Sequence, residues 1–458
     1  MTSETAKPST LALLVITFLA LLLILFRVGS QPVSDDDYLV AISAINYMES
    51  GQLGPTMWNH PCLRNILVYW TLWAFGTGVA GVKGISILLG TLCTPLIGAV
   101  SGRMFRDGRI ALIAALLWAC DPLVIDFSRQ GINDIYLAFF PLLGIYLAYR
   151  YRETGNQWWL IFSGVGFGLG LASKWSGLFP LAITFILLAR TIHRDRSENF
   201  RLRMARYIHV SVLLLVVPVL VYLLTFIPWF SRGYSLSEWP ELQRSMFLET
   251  SQHAGYRPKL WDDRDNRAYK WFIMPSVYVD PFMNMDRVDM NGPVRPSLDD
   301  SITVVLGYSN PLVWLLTLPA VFMLGVRGAR SRDEGLLYPA ALFLASYLPL
   351  VLTSRPIWMN TALSVVPYAV MAVAYFVCSI ADRSGFRRLV LGSYLVLVLT
   401  VAAPLYLLAI GKGMEIPVLK RYFIDKYLVQ VRHSMSAGSG AEDGGAKPLP
   451  VPAQHNLP

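Results

Sequence analysis

The sequence predicts an all-α polytopic membrane protein, and three observations carry that prediction. Hydrophobic residues make up 54% of the 458 residues and charged ones 15%, with a mean hydropathy of +0.47, outside the range of soluble globular chains. Apolar runs recur at lengths suited to crossing roughly 30 Å of hydrocarbon. The basic residues collect in short segments between those runs, the distribution that sets orientation in a bilayer.

The first run, Leu11 to Val28, is followed by further runs and by no small-residue cleavage pattern, so it is expected to stay as an anchor. The next segment, Leu63 to Ala80, carries Arg64, Asn65, Tyr69, Trp70 and Trp73 and reads as an aromatic-rich helix at the interface. Apolar runs follow at Gly84 to Val100, Ile110 to Ile125, Ile135 to Tyr149, Trp158 to Ala172, Trp175 to Ala189 and Tyr207 to Trp229. The last four are Val304 to Val326, Leu336 to Leu352, Ile357 to Ile380 and Leu389 to Ile410. With Leu63 to Ala80 interfacial, the chain has about eleven transmembrane helices.

That count also sorts the charges. Arg103, Arg106 and Arg109 share a side with Arg150 and Arg152, with Arg190 to Arg206, with Arg327 to Arg332 and with Arg383 to Arg388. The positive-inside rule then expects a cytosolic amino terminus and outer loops at 29–83 and 230–303. Residues 1–411 form one transmembrane domain, 412–433 an outer-side segment, and 434–458, rich in Gly, Ser, Ala and Pro, a disordered tail.

Several function classes are disfavoured at this point. Of the four cysteines, Cys93, Cys120 and Cys378 lie in apolar stretches and only Cys62 in a polar loop, which gives no disulfide framework. The net charge of +9 is divided among short loops, without the basic patch and interleaved aromatics that nucleic acid needs, so no nucleic-acid partner is expected. No glycine-rich phosphate loop or zinc-type spacing appears, which disfavours nucleotide donors and a structural metal.

The segment that calls for chemistry is Ser34-Asp35-Asp36-Asp37-Tyr38, directly after the first run. Three adjacent carboxylates beside a bilayer need water, a cation or a reaction. Six cations fall on the same outer side against the sorting rule: Arg27, Arg64, Lys83, Arg129, Lys174 and Arg355. A charge at mid-membrane costs about 2.5 to 3.5 kcal/mol, so partners are expected. Snorkelling accounts for Arg27, Arg64 and Lys83. Arg129 lies between Asp126 and Asp134, Lys174 follows Gly164, Gly166, Gly168 and Gly170, and Arg355 precedes Pro356 at an outer turn.

At these residues the chain resembles the protein O-mannosyltransferases and related bacterial glycosyltransferases of the C-type fold. Asp36-Asp37 or Asp35-Asp36 takes the place of that family's Asp-Glu pair, with the second acid shortened. His60-Pro61-Cys62-Leu63-Arg64-Asn65 is similar to its His-Pro-Pro-Leu-Gly-Lys, with a proline and a lysine replaced. Cys120-Asp121 through Asp126, Ser128-Arg129 and Asp134 is similar to its acid, Ser-Arg and Asp run. Ala172-Ser173-Lys174-Trp175-Ser176-Gly177-Leu178-Phe179 and Leu306-Gly307-Tyr308-Ser309-Asn310-Pro311-Leu312-Val313-Trp314 match two further segments. The series runs in order from about Leu11 to Tyr375.

The resemblance implies transfer of mannose or a related hexose from a polyprenyl-phosphate carrier to an acceptor hydroxyl, with inversion at the anomeric carbon. The acceptor is a protein, with Ser or Thr hydroxyls the first expectation, or another glycoconjugate. The setting is a bacterial inner membrane, with the site facing the periplasm or exterior. Such transfer needs a base for the acceptor proton and cations for the departing phosphate. Asp36 is the expected base, with Asp37 or Asp35 orienting the acceptor or binding a cation. Arg129, Lys174 and Arg355 are expected on the donor phosphate, and His60, Asp134 and Asp126 on substrate. No cofactor is called for with certainty, and a divalent metal at the acidic run stays open. A lipid-linked-sugar flippase and an inactive partner subunit are the competing readings; the first predicts ionisable residues at mid-span and an internal repeat, neither of which is evident.

Overall fold

The computed structural model describes residues 8–30, 35–53, 59–194, 199–252, 267–272, 278–282, 303–353, 357 and 359–411. Sixteen α-helices lie among them. The first three are α1 (Thr10–Leu25), α2 (Asp35–Ser50) and α3 (Leu63–Phe75). At 13 residues, α3 is about 20 Å long, short of a hydrocarbon core, so its length suits the interfacial reading. It folds back through Gly76, at φ +74°, onto α4 (Val79–Phe105).

The next elements form the centre. The run expected over Ile110 to Ile125 is two helices, α5 (Gly108–Ala119) and α6 (Pro122–Ser128), bent by 60°. Asp121 makes the break: its carboxylate accepts from the amides of Leu123 and Val124 at 3.0 and 3.4 Å, and Pro122 follows at the first helical position. Then come α7 (Asp134–Thr154), α8 (Gln157–Leu171), α9 (Leu178–Arg194) and α10 (Phe200–Leu224). Asn156 and Asn199 cap α8 and α10 through their side-chain oxygens.

The alternating glycines of α8 serve two neighbours. A Cβ on Gly164 or Gly168 would meet α10 at 2.6 Å, whereas one on Gly166 or Gly170 would meet α7 at 3.0 and 2.9 Å. Small residues four apart thus let α8 pack backbone to backbone on two sides.

Two short helices, α11 (Ile227–Phe230) and α12 (Trp239–Gln252), lead into the long outer segment. The helical frame carries one small addition here: Tyr278–Phe282 (β1) pairs antiparallel with Thr303–Gly307 (β2). The run expected to start a span at Val304 is therefore strand first, and α13 (Pro311–Ser331) starts at the Asn310-Pro311 cap. The last three helices are α14 (Glu334–Leu352), α15 (Val366–Ala381) and α16 (Arg387–Ala409).

Each of the eleven apolar runs lies largely within helix. Among the described residues, six helices are long and apolar enough to cross a membrane, seven with the bent pair counted as one span. α4, α5, α7 and α15 carry many of the buried residues, and α10 and α16 present Leu215, Val219, Val396 and Leu397 outward. The basic loops meet at one end. There Glu334 accepts from Arg152 and Arg194 at 3.1 and 2.7 Å, and Asp382 binds Arg109 and Arg387 at 2.9 and 3.3 Å.

Candidate active site

The acidic run opens α2 at the opposite end of the bundle. Helical geometry separates its acids: Asp36 is half-buried, whereas Asp37 is fully buried. Of Asp35 only the helical backbone is described. Asp37 Oδ2 lies 3.0 Å from Lys83 Nζ on α4, and its Oδ1 accepts a hydrogen bond from the Gly131 amide at 2.6 Å. The approach is close enough that a Cβ on Gly131 would sit 3.2 Å from the Val82 carbonyl and 3.3 Å from Asp37 Oδ1.

Two expectations change here. Lys83 does not snorkel: its side chain is wholly buried, because Asp37 supplies the counter-charge that a buried ammonium requires. Asp37 in turn has its charge met inside the protein, so the expectation of a divalent metal on the acidic run now rests on Asp35 and Asp36. Among the described residues no three His, Cys, Asp or Glu side chains converge as a metal site.

Arg64 is the second cation that does not snorkel. It is 2% exposed, and its guanidinium donates to Asn65 Oδ1 from Nε at 3.3 Å and Nη2 at 2.9 Å. Burial pushes its pKa down to about 10, while the negative charges of Asp36 and Asp134 act to hold its proton. It stays charged at neutral pH, in the shared field of both carboxylates. Its neighbour Cys62 is pushed up to about 12 by burial.

Asp134 begins α7, where the helix dipole favours a carboxylate. Lys174 Nζ is 2.6 Å from its Oδ1 and Asn360 Nδ2 donates to its Oδ2 at 3.0 Å. Lys174 keeps 15% side-chain exposure against 2% for Asp134. The Lys174 segment is held by α3, since the Leu63 amide donates to the Ala172 carbonyl at 3.1 Å. His60 is half-buried in the bend before α3. Two motifs far apart in sequence are thereby joined.

Asp126 and Arg129 lie deeper. Asp126 is fully buried and accepts from Gln130 Nε2 at 3.0 Å, with Arg129, Lys83 and Asp37 in its field. Arg129, expected on the donor phosphate, is anchored from beneath. Its guanidinium is fully buried and donates to the Ile24 and Phe26 carbonyls at 2.9 and 2.8 Å, because the end of α1 offers acceptors without further helical partners. Asp126, expected on substrate, is likewise fully buried. Arg355, the third expected phosphate ligand, lies outside the described residues.

The remaining motif braces this floor. Ser309 Oγ donates to Asp121 Oδ2 at 2.6 Å and the Asn310 amide at 3.3 Å, tying the segment before α13 to the α5–α6 break. Asn360 was not marked by sequence, since one asparagine in a polar turn carries no pattern. Lys83 and Arg64 were visible as cations on an unexpected side, but their partners were not.

A family model described as dolichyl-phosphate-mannose-protein mannosyltransferase matches residues 61–232, a stretch that includes Arg64, Lys83, Asp134 and Lys174. The chain is 23% identical over 379 residues to the polyprenol-phosphate-mannose–protein mannosyltransferase of Corynebacterium glutamicum, covering 69% of each. In three dimensions it is similar to the S. cerevisiae protein O-mannosyltransferase complex bound to its sugar donor, with TM-score 0.64, 12% identity and coverage of 90% of this chain and 91% of that one. It is also similar to an Archaeoglobus fulgidus oligosaccharyltransferase, with TM-score 0.53, 13% identity and coverage of 88% of this chain. The chain spans about half, 55%, of that archaeal protein's length. The fold is the C-type glycosyltransferase fold that the motifs implied.

Proposed function

We propose that this chain, with its resemblance to the dolichyl-phosphate-mannose-protein mannosyltransferases, is an integral-membrane mannosyltransferase. It takes mannose or a related hexose from a polyprenyl-phosphate carrier and transfers it to an acceptor hydroxyl, with protein Ser or Thr the first candidate. The membrane is a bacterial inner membrane and the acidic end faces the periplasm. The basic end, where Glu334 and Asp382 gather arginines, then faces the cytosol.

One observation carries the reading: the half-buried Asp36 shares the field of Arg64 with Asp134, which binds the partly exposed Lys174 and Asn360. A base and two cations thereby gather at one end of the bundle. In the reaction the acceptor oxygen forms a bond to the sugar's anomeric carbon while the bond from that carbon to the phosphate oxygen breaks. The proton of the hydroxyl passes to Asp36, and the electron pair leaves on the polyprenyl phosphate opposite Arg64 and Lys174. With one carboxylate acting as base and no covalent intermediate, the anomeric centre inverts. Asp37, locked to Lys83, orients Asp36. Arg129 and Asp126 support the floor from below.

The test is transfer from radiolabelled polyprenyl-phosphate mannose to a Ser/Thr-rich peptide by the purified full chain. Asp36→Ala abolishes transfer and retains donor binding, and the product anomer read by proton NMR is inverted. Full activity in Asp36→Ala, or movement of the lipid between leaflets without transfer, sinks the reading.

A further inference from the structure

A second site lies at the other end of α7 and α8 from the acidic run. α7 has 21 residues, so its end beside Thr154 stands about 30 Å from Asp134. There, between α7, α8, α9 and α10, is a cavity of about 530 Å³, within the range of small-molecule sites. Arg152, Arg206, His209 and Gln157 supply its polar lining, and Leu188 and Ile192 an apolar wall. Its chemistry is therefore two-sided.

Three features point to an anion. The amino terminus of α8, capped by Asn156, opens at Gln157 on the lining, and the positive end of its dipole favours negative charge. His209 Nε2 is buried and has no hydrogen-bond partner among the described residues. Among the described residues arginines also outnumber acids at this end: Arg150 binds Glu153, while Arg152 and Arg194 share Glu334. Trp158, exposed on the next residue, and Trp159, under the Arg150 guanidinium at 5.1 Å, mark the headgroup level of a bilayer.

We propose that this cavity binds the phosphate of an anionic membrane lipid, with Arg206, His209 and the α8 amino terminus on the phosphate and the lipid's glycerol and first methylenes against Leu188 and Ile192. The apolar wall favours a lipid headgroup over free phosphate. The site is independent of the transfer reaction at the opposite end.

Native mass spectrometry of the delipidated full chain tests it with phosphatidylglycerol, phosphatidylcholine and inorganic phosphate as probes. Phosphatidylglycerol is expected to be retained over phosphatidylcholine. Its affinity is expected to fall about tenfold in Arg206→Ala/His209→Leu, as basic pockets between spanning helices hold such headgroups. Ala205→Trp fills the cavity from the lining without changing charge, and carries the test if the double variant fails to fold. Arg383→Ala, at a separate basic surface, is expected to leave retention unchanged. Equal retention of the two lipids, or unchanged affinity in both cavity variants, overturns the site. Displacement of phosphatidylglycerol by inorganic phosphate at equal concentration overturns the lipid as occupant in favour of the free ion.

Discussion

Lys83 Nζ and Asp37 Oδ2 stand 3.0 Å apart with both side chains wholly out of solvent, joining the first turn of α2 to the first turns of α4. Removing one partner of a buried pair leaves an uncompensated charge and costs about 3 to 5 kcal/mol. Lys83→Met and Asp37→Asn are each expected to lower thermal stability strongly. The double variant recovers much of the loss, giving a coupling energy of about 2 kcal/mol in a double-mutant cycle. Thermal unfolding in detergent checks this, and additive single effects refute it.

Lys174 and Asp134 are a different kind of pair, because Lys174 keeps a path to solvent. Lys174→Met is expected to reduce kcat/KM for the lipid-linked donor about a hundredfold, the loss of about 2.7 kcal/mol that a fixed cation contributes to a departing phosphate. Lys174→Arg keeps part of the activity. Donor titrations separate KM from kcat; unchanged values for Lys174→Met remove it from the phosphate.

Gly131 is where the backbone comes nearest to the acidic run. Gly131→Val puts branched carbon against Asp37 Oδ1 and the Val82 carbonyl, already 3.3 and 3.2 Å from a single added Cβ. The expected result is loss of most transfer, with Gly131→Ala intermediate. Equal turnover by wild type and Gly131→Val argues that Asp37 need not be held.

Cys62 reads out the packing beneath α3 chemically. With its pKa raised to about 12 by burial, only about one thiol in ten thousand is ionised at pH 8, so maleimide labelling is slow in the folded chain and fast after denaturation. The folded state holds this proton more tightly than the unfolded one, whose pKa is near 9. The resulting stability is present in full below about pH 9 and declines as pH rises towards about 12. Rapid labelling of the native protein at Cys62 contradicts the buried placement.

The apolar runs of the sequence mark most of the long helices but not α2 or α12, and the sorting of arginines to one end is visible in the contacts of Glu334 and Asp382. The interfacial reading of α3 comes from its aromatic residues and from the arginine sorting, which a span there would scramble. What the sequence does not show are pairings between distant elements. Lys83 and Asp37 are 46 positions apart, and nothing local tells a snorkelling lysine from one folded onto a carboxylate. Arg129 is the converse: its flanking acids suggested a ligand site, while its guanidinium also donates to carbonyls of α1, which carry no side-chain signature. The break between α5 and α6 escaped notice because Asp121 and Pro122 interrupt a run whose average hydropathy stays high.

That 60° break has a mechanical consequence. It turns α6 away from the axis of α5, so the residues below the acidic run ride on a ledge pinned to α1 by Arg129 and to the segment before α13 by Ser309. The elevation of this ledge is set by protein cross-ties rather than by lipid. A thinner or thicker bilayer moves the hydrocarbon boundary along the outer helices, and the spacing between acid and cations travels with the protein, indifferent to the thickness around it.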